Sequence, residues 1–155
     1  MKTLIAVFLC LMLPGYAIAG ENGYKVTYDG GSIADTKAGV GIKFFIEGDH
    51  VRFTRGGKDI ALIPVNSITE ISYGQDVHRR VGTAIGLAVF SLGIGALMLL
   101  SKSKKHYVGL TWADGEKKGG LVFQADKSEY RGIIAGLEGV TGKKAVDSDA
   151  MNVKN

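Results

Sequence analysis

Short runs in which apolar and polar residues alternate dominate the chain before residue 80 and predict β-strands. Alternation of this kind places apolar side chains on one face of a strand and polar side chains on the other. Glycine and aspartate clusters separate the runs, and Gly56-Gly57 has the composition of a two-residue hairpin turn. The predicted strands are residues 24–28, 41–46, 50–54, 60–65 and 68–73.

Two more strands and one helix are predicted after residue 105. Residues 107–112 and 120–124 alternate as strands around a turn that begins at Asp114-Gly115. Asp126, three residues before Glu129, has the spacing of a capping box, and we expect the helix to end at Gly139. The apolar residues of this helix recur at helical spacing and are Tyr130, Ile133, Ile134 and Leu137. Residues 143–155 are polar and are predicted to form a flexible tail.

Residues 81–100 are uniformly apolar and carry no charge over 20 positions. As one helix, at about 1.5 Å per residue, they would just span a bilayer core of roughly 30 Å. As two helices bent near residues 91–93, they would reach about one leaflet deep and return to the same side. We favour the one-sided hairpin, with a true span and a buried core helix as alternatives. Cations on both sides could contact lipid headgroups: Arg79, Arg80, Lys102, Lys104 and Lys105. Small residues that could pack helices closely, within the chain or between copies, are Gly82, Gly86 and Gly93.

The parts of the chain before and after this segment are predicted to fold together as one domain. The later part offers two strands and one helix, which is too little apolar surface for an independent domain. We therefore predict one mainly β domain at residues 20–142, interrupted at 81–100, with about seven antiparallel strands and a C-terminal amphipathic helix.

The N-terminus has the anatomy of a secretory signal peptide. Lys2 precedes an apolar run at residues 4–13, and small residues precede a predicted cleavage site between Ala19 and Gly20. The signal therefore covers residues 1–19, with an uncleaved anchor as the alternative. Cleavage would remove Cys10, the chain's one cysteine, and with it disulfides, thiol catalysis and cysteine metal sites.

Composition and motifs point away from an enzyme. The 155 residues include 23 glycines without a collagen period, and the net charge of +4 gives no indication of nucleic-acid binding. His50, His78 and His106 lack metal-ligand spacing, and no catalytic or cofactor-binding motif is found, so no catalytic residue, metal or cofactor is predicted. Arg52, Arg55 and Lys58 form a basic hairpin that is either a solvated face or a site for an acidic partner.

The order of these elements resembles the pleckstrin-homology-like and GRAM-like superfold, especially exported bacterial members with a glycine-rich apolar insertion. The residues that carry the resemblance are 63–73, 104–110 and 137–143. The resemblance implies a barrel that binds lipid headgroups or peptides and is not an enzyme. The loop at residues 29–39 carries only Lys37 against Asp29 and Asp35, so the headgroup site of the superfold is not expected here.

Together these observations predict a non-enzymatic binding or scaffold module of the bacterial cell envelope, tethered to membrane lipid through the apolar segment. The alternative is a single-pass membrane protein that forms homo-oligomers through its glycine face, as a pore or transport accessory.

Overall fold

Eight β-strands and two helices make up the part of the chain that the computed structural model describes, residues 23–86 and 105–150. In chain order the strands before the apolar segment are β1 (Tyr24–Gly31), β2 (Val40–Ile46), β3 (His50–Arg55), β4 (Lys58–Pro64) and β5 (Ile68–Tyr73). A short 3-10 helix, Val65–Ser67, joins β4 to β5. The later elements are α1 (Val77–Ile85), β6 (His106–Asp114), β7 (Lys117–Ala125), α2 (Tyr130–Thr141) and β8 (Val146–Asp147). The prediction of a mainly β fold is confirmed.

All eight strands belong to one sheet, in the order β4-β3-β2-β1-β7-β6-β5-β8. Every neighbouring pair is antiparallel except β5 and β8, which are parallel. Strands that precede and follow the apolar segment in the chain are interleaved in this sheet. β6 and β7 lie between β5 and β1, so that β1 pairs with β7 and β5 pairs with β6. The sheet therefore cannot form from either part alone.

Aromatic rings fill the centre of the inner face of the sheet. The ring of Phe44 lies 4.7 Å from that of Phe53 and 5.1 Å from that of Phe123, measured between centroids. Helix α2 covers this face with Ile133 and Leu137, which are fully buried. This packing confirms the apolar stripe that helical spacing predicts for α2.

The outer face of β6 and β7 is covered by α1. Val77 and Val81 are fully buried there, in a cluster with Tyr107 and Val122. The apolar segment was predicted to begin at Val81, but the helix begins four residues earlier and its Val81 side chain packs on protein. Residues 87–100 lie outside the described residues, as does the predicted signal peptide.

Three local predictions need correction. The spacing of Asp126 and Glu129 does not make a capping box, because no side chain caps α2; the Asp126 carbonyl instead accepts bonds from the backbone N–H groups of Glu129 and Tyr130. The helix continues past Gly139 to Thr141 and ends at Gly142, which adopts the left-handed conformation at φ 68°. Residues 143–150, predicted as part of a flexible tail, include β8, which adds a parallel strand to β5.

Candidate functional site

Two regions of the outer surface concentrate the polar chemistry of the described residues. The first surrounds α1, the helix that leads into the apolar segment. The second is a cationic groove on strands β1 to β3, which we define below.

A buried histidine anchors the start of α1 to the sheet. The Nε2–H group of His78 donates a hydrogen bond of 2.6 Å to Oδ2 of Asp29. The imidazole also meets the ring of Tyr107 edge-on, with 4.9 Å between centroids. Burial, followed by the negative charge of Asp29, raises the pKa of Tyr107 to about 12.

Sequence reasoning missed this contact because it gave His78 no partner and placed Asp29 in a loop. A β-bulge between Tyr28 and Gly30 carries the chain at Asp29 out of register with β7. Bulges commonly redirect a side chain in this way. Since 49 positions separate the two residues and the bulge has no signature in the sequence, no local pattern could have paired them.

The predicted membrane-interface cations have different environments. Arg79 is exposed, whereas Arg80 forms a forked pair with Glu70, Nε to Oε1 at 2.6 Å and Nη2 to Oε2 at 2.7 Å. This pair raises the pKa of the Arg80 guanidinium further above its ordinary value. Lys105 is half-buried at the start of the later part, and its carbonyl accepts a bond from Nε2 of Gln75. Lys102 and Lys104 lie outside the described residues.

The predicted glycine face is not continuous in α1. Gly82 is buried within the fold, and Gly86 ends the helix in the left-handed conformation at φ 74°. Gly93 lies outside the described residues. Gly82 and Gly86 therefore do not form one exposed stripe on α1 that could pack against another helix.

Ser148 and Asp149, near the end of the described chain, form hydrogen bonds with the turn before α1. Oδ1 of Asp149 accepts bonds from the backbone N–H groups of Gln75, at 2.6 Å, and Asp76, at 3.1 Å. Ser148 is buried and donates to the carbonyl of Tyr73. Asp149 therefore supplies a carboxylate at the N-terminus of α1, where the helix dipole favours negative charge.

The cationic groove is an open hollow of about 660 Å³ on the outer surface of β1, β2 and β3. Lys25, Lys43 and Arg55 line it with exposed side chains, and Asp126 supplies its one carboxylate. Arg52, which also lines it, pairs with Glu47 at 2.7 Å and stacks 4.3 Å over the ring of Phe45. The sequence analysis identified Arg55 and Arg52 as basic but missed the two lysines, which lie on other strands.

Residues 23–86 and 105–150 contain no group of three or more histidine, cysteine or acidic side chains placed to hold a metal ion. Neither helix of this part of the chain is both long and apolar enough to cross a membrane.

Comparison with known proteins gave no family assignment. No protein-family model matches the chain, and no curated protein is significantly similar to it.

Proposed function

We propose that this protein is a non-enzymatic binding module of the bacterial cell envelope, tethered to a membrane through its apolar segment. The observation that carries the proposal is the interleaving of strands around that segment. Gly86 caps α1, which packs on β6 and β7, and Lys105 directly precedes β6, so both residues that flank the undescribed part lie beside the same sheet.

This connectivity bears on how the segment would meet a bilayer. One crossing would leave β5 and β6 in different compartments, yet these two strands pair from Ile68↔Trp112 to Tyr73↔Val108. A chain that keeps this ladder intact has to enter and leave the membrane on the same side. A one-sided hairpin satisfies that condition, and backbone groups at its bend would be satisfied by protein contacts.

The strand order also supports a pleckstrin-homology-like barrel, the finer fold that we propose. Two antiparallel meanders, β1 to β4 and β5 to β7, are joined through the β1–β7 pair. Helix α2 contacts β2 of the first meander and β5 and β6 of the second. Strands followed by two further strands and a C-terminal amphipathic helix are the order of elements on which the resemblance rests.

Labelling of single cysteines in cells tests the one-sided topology. In a Cys10→Ser background, Leu62→Cys and Glu116→Cys place a thiol on exposed positions before and after the segment. We expect a membrane-impermeant maleimide to label both from the same side. Labelling of the two positions from opposite sides would contradict the proposal.

Vesicle flotation tests the tether. Changing Arg79, Lys102, Lys104 and Lys105 to glutamine should weaken binding to phosphatidylglycerol vesicles, because each cation near an anionic surface contributes about 1 kcal/mol. Arg80 is left in place because it pairs with Glu70. The matched control changes four exposed lysines that do not flank the apolar segment in the sequence: Lys37, Lys117, Lys118 and Lys127. Equal loss in both variants would count against a specific interface.

A further inference from the structure

Like charges face one another once within the cationic groove and once at the turn beside it. Lys25 of β1 is the direct cross-strand partner of Lys43 of β2, and Arg55 of β3 is the direct partner of Lys58 of β4. Among the described residues, no carboxylate lies within ion-pair distance of Lys25, Lys43 or Arg55. Like charges directly opposite one another destabilise a sheet.

Departures from local rules of this kind are expected at functional sites, where the cost is offset by an interaction with a ligand. An anion placed between Lys25 and Lys43 would convert the repulsion into two attractions. The sheet therefore holds these cations in the arrangement that an anionic ligand needs, before the ligand arrives.

A glycine keeps the floor of the groove uncovered. Gly41 lies opposite Thr27 in the ladder, and a Cβ atom built at Gly41 would meet nothing within 4 Å. Its φ angle is not in the left-handed region, so the backbone does not require glycine. Gly41 is the second residue of β2, and glycine in a strand often marks a place where a ligand or another part of the backbone approaches closely.

The spacing and polarity of the groove indicate the chemical class of the ligand. Cross-strand neighbours lie about 5 Å apart, so cations on three successive strands extend over roughly 10 Å. That spacing suits an anion with two or more charged groups. The one ring in the lining, Phe45, is already covered by Arg52, so a peptide would find no open aromatic pocket of the kind that anchors protein interfaces.

We propose that the cationic groove binds a ligand that carries at least two phosphate groups, through Lys25, Lys43 and Arg55. Lysine ammonium groups bind phosphate as point charges, and arginine can add a forked pair. This site lies apart from α1 and does not depend on the tether proposed above.

Titration calorimetry with inorganic tripolyphosphate on the full-length protein tests the site. We expect Lys25→Gln/Lys43→Gln to weaken binding by about tenfold or more, since it removes two charge-assisted contacts. Gly41→Leu should weaken it similarly by filling the floor without changing any charge. The matched control, Lys117→Gln/Lys118→Gln, removes the same charge at the β6–β7 turn and should change affinity by less than about twofold.

Any of three results with tripolyphosphate alone would overturn the proposal: no binding to the unaltered protein, equal losses in the groove and control variants, or unchanged affinity in Gly41→Leu. Tighter binding of polyglutamate than of tripolyphosphate would also overturn it, in favour of an acidic peptide. Thermal unfolding keeps the test interpretable, because Lys25→Gln/Lys43→Gln removes a repulsion and should not lower the melting temperature.

Flotation with vesicles that contain cardiolipin, a lipid whose headgroup carries two phosphates, identifies the source of the phosphate. If Lys25→Gln/Lys43→Gln loses both tripolyphosphate and vesicle binding, the groove binds lipid headgroups. If it loses only tripolyphosphate binding, the groove binds a soluble phosphate compound. Cysteine labelling at Leu62 and Glu116 tests the one-sided membrane topology, and calorimetry tests the groove. Failure of the proposed function and failure of the groove proposal are therefore distinguishable.

Discussion

Nε2 of His78 lies 2.6 Å from Oδ2 of Asp29, in a contact that joins the first turn of α1 to the bulge of β1. Both side chains are largely shielded, with 10% and 15% of their surface exposed. This hydrogen bond fixes the helix on the sheet just before the chain continues into the apolar segment. It therefore couples the position of α1 to the first strand of the fold.

Asp29→Asn should lower the free energy of unfolding by about 1–2 kcal/mol, because a charge-assisted hydrogen bond in a shielded site is replaced by a neutral one. Urea unfolding measures the change. Asp35→Asn is the control: it makes the same substitution at an exposed residue of the next loop and keeps a side chain that tolerates the positive φ of 53°. Equal effects in the two variants would show that the His78 contact contributes nothing.

Gly109→Ala should destabilise the protein by about 1–3 kcal/mol through overpacking. A Cβ atom at Gly109 would lie 2.6 Å from Cγ2 of Val77 and 2.7 Å from Cγ2 of Val81, so α1 would have to move away from β6. Gly41→Ala, in a strand with open space around it, should leave stability unchanged or raise it. Thermal unfolding of the two variants checks both expectations, and a neutral Gly109→Ala would contradict the close packing.

The strands could be predicted because each carries its own alternation. Val51 and Phe53, for example, are fully buried on one face of β3 while Arg52 between them is partly exposed. The two-residue turn at Gly56-Gly57 could also be predicted, because such a turn requires positive φ angles, which glycine readily adopts. The observed φ angles are 58° and 79°.

Contacts between distant positions could not be predicted in this way. Val81 packs on protein because Gly109 of β6 and Gly120 of β7 have no side chains and leave room for it. Both glycines are distant from Val81 in the sequence. The polarity of Val81 would be the same if it faced lipid. The prediction of a flexible tail from residue 143 was wrong for a related reason. Residues Val146–Asp147 form a strand because they pair with β5, and their own polar sequence does not indicate that pairing.

Asp149→Ala should destabilise the protein by about 1 kcal/mol, because it removes the acceptor for the N–H groups of Gln75 and Asp76 at the start of α1. Thermal unfolding measures the loss. Asp149→Asn keeps an acceptor oxygen and should recover part of it, which separates the hydrogen bonds from the charge. If Ala and Asn behave alike and lower stability by the same amount, the dipole interaction and not the hydrogen bonding is responsible.

Alkaline pH should destabilise the protein through Tyr107. Burial raises the pKa of Tyr107 from 10.0 in the unfolded chain to about 12 in the fold, so the folded state holds the proton more tightly. The resulting stability is fully present below pH 10 and is lost as the pH rises from there toward 12. Tyr107→Phe should therefore show a weaker fall in urea stability over this range than the unaltered protein.

The pKa itself is measured by ultraviolet titration of tyrosinate, as the difference between the unaltered protein and Tyr107→Phe. This difference is needed because burial also raises the pKa of Tyr28. Asp29→Asn should move the Tyr107 transition to lower pH, since the charge of Asp29 opposes formation of a second negative charge beside it. A Tyr107 transition near pH 10 would mean that water reaches the phenol, and that α1 does not seal the outer face of β6 and β7.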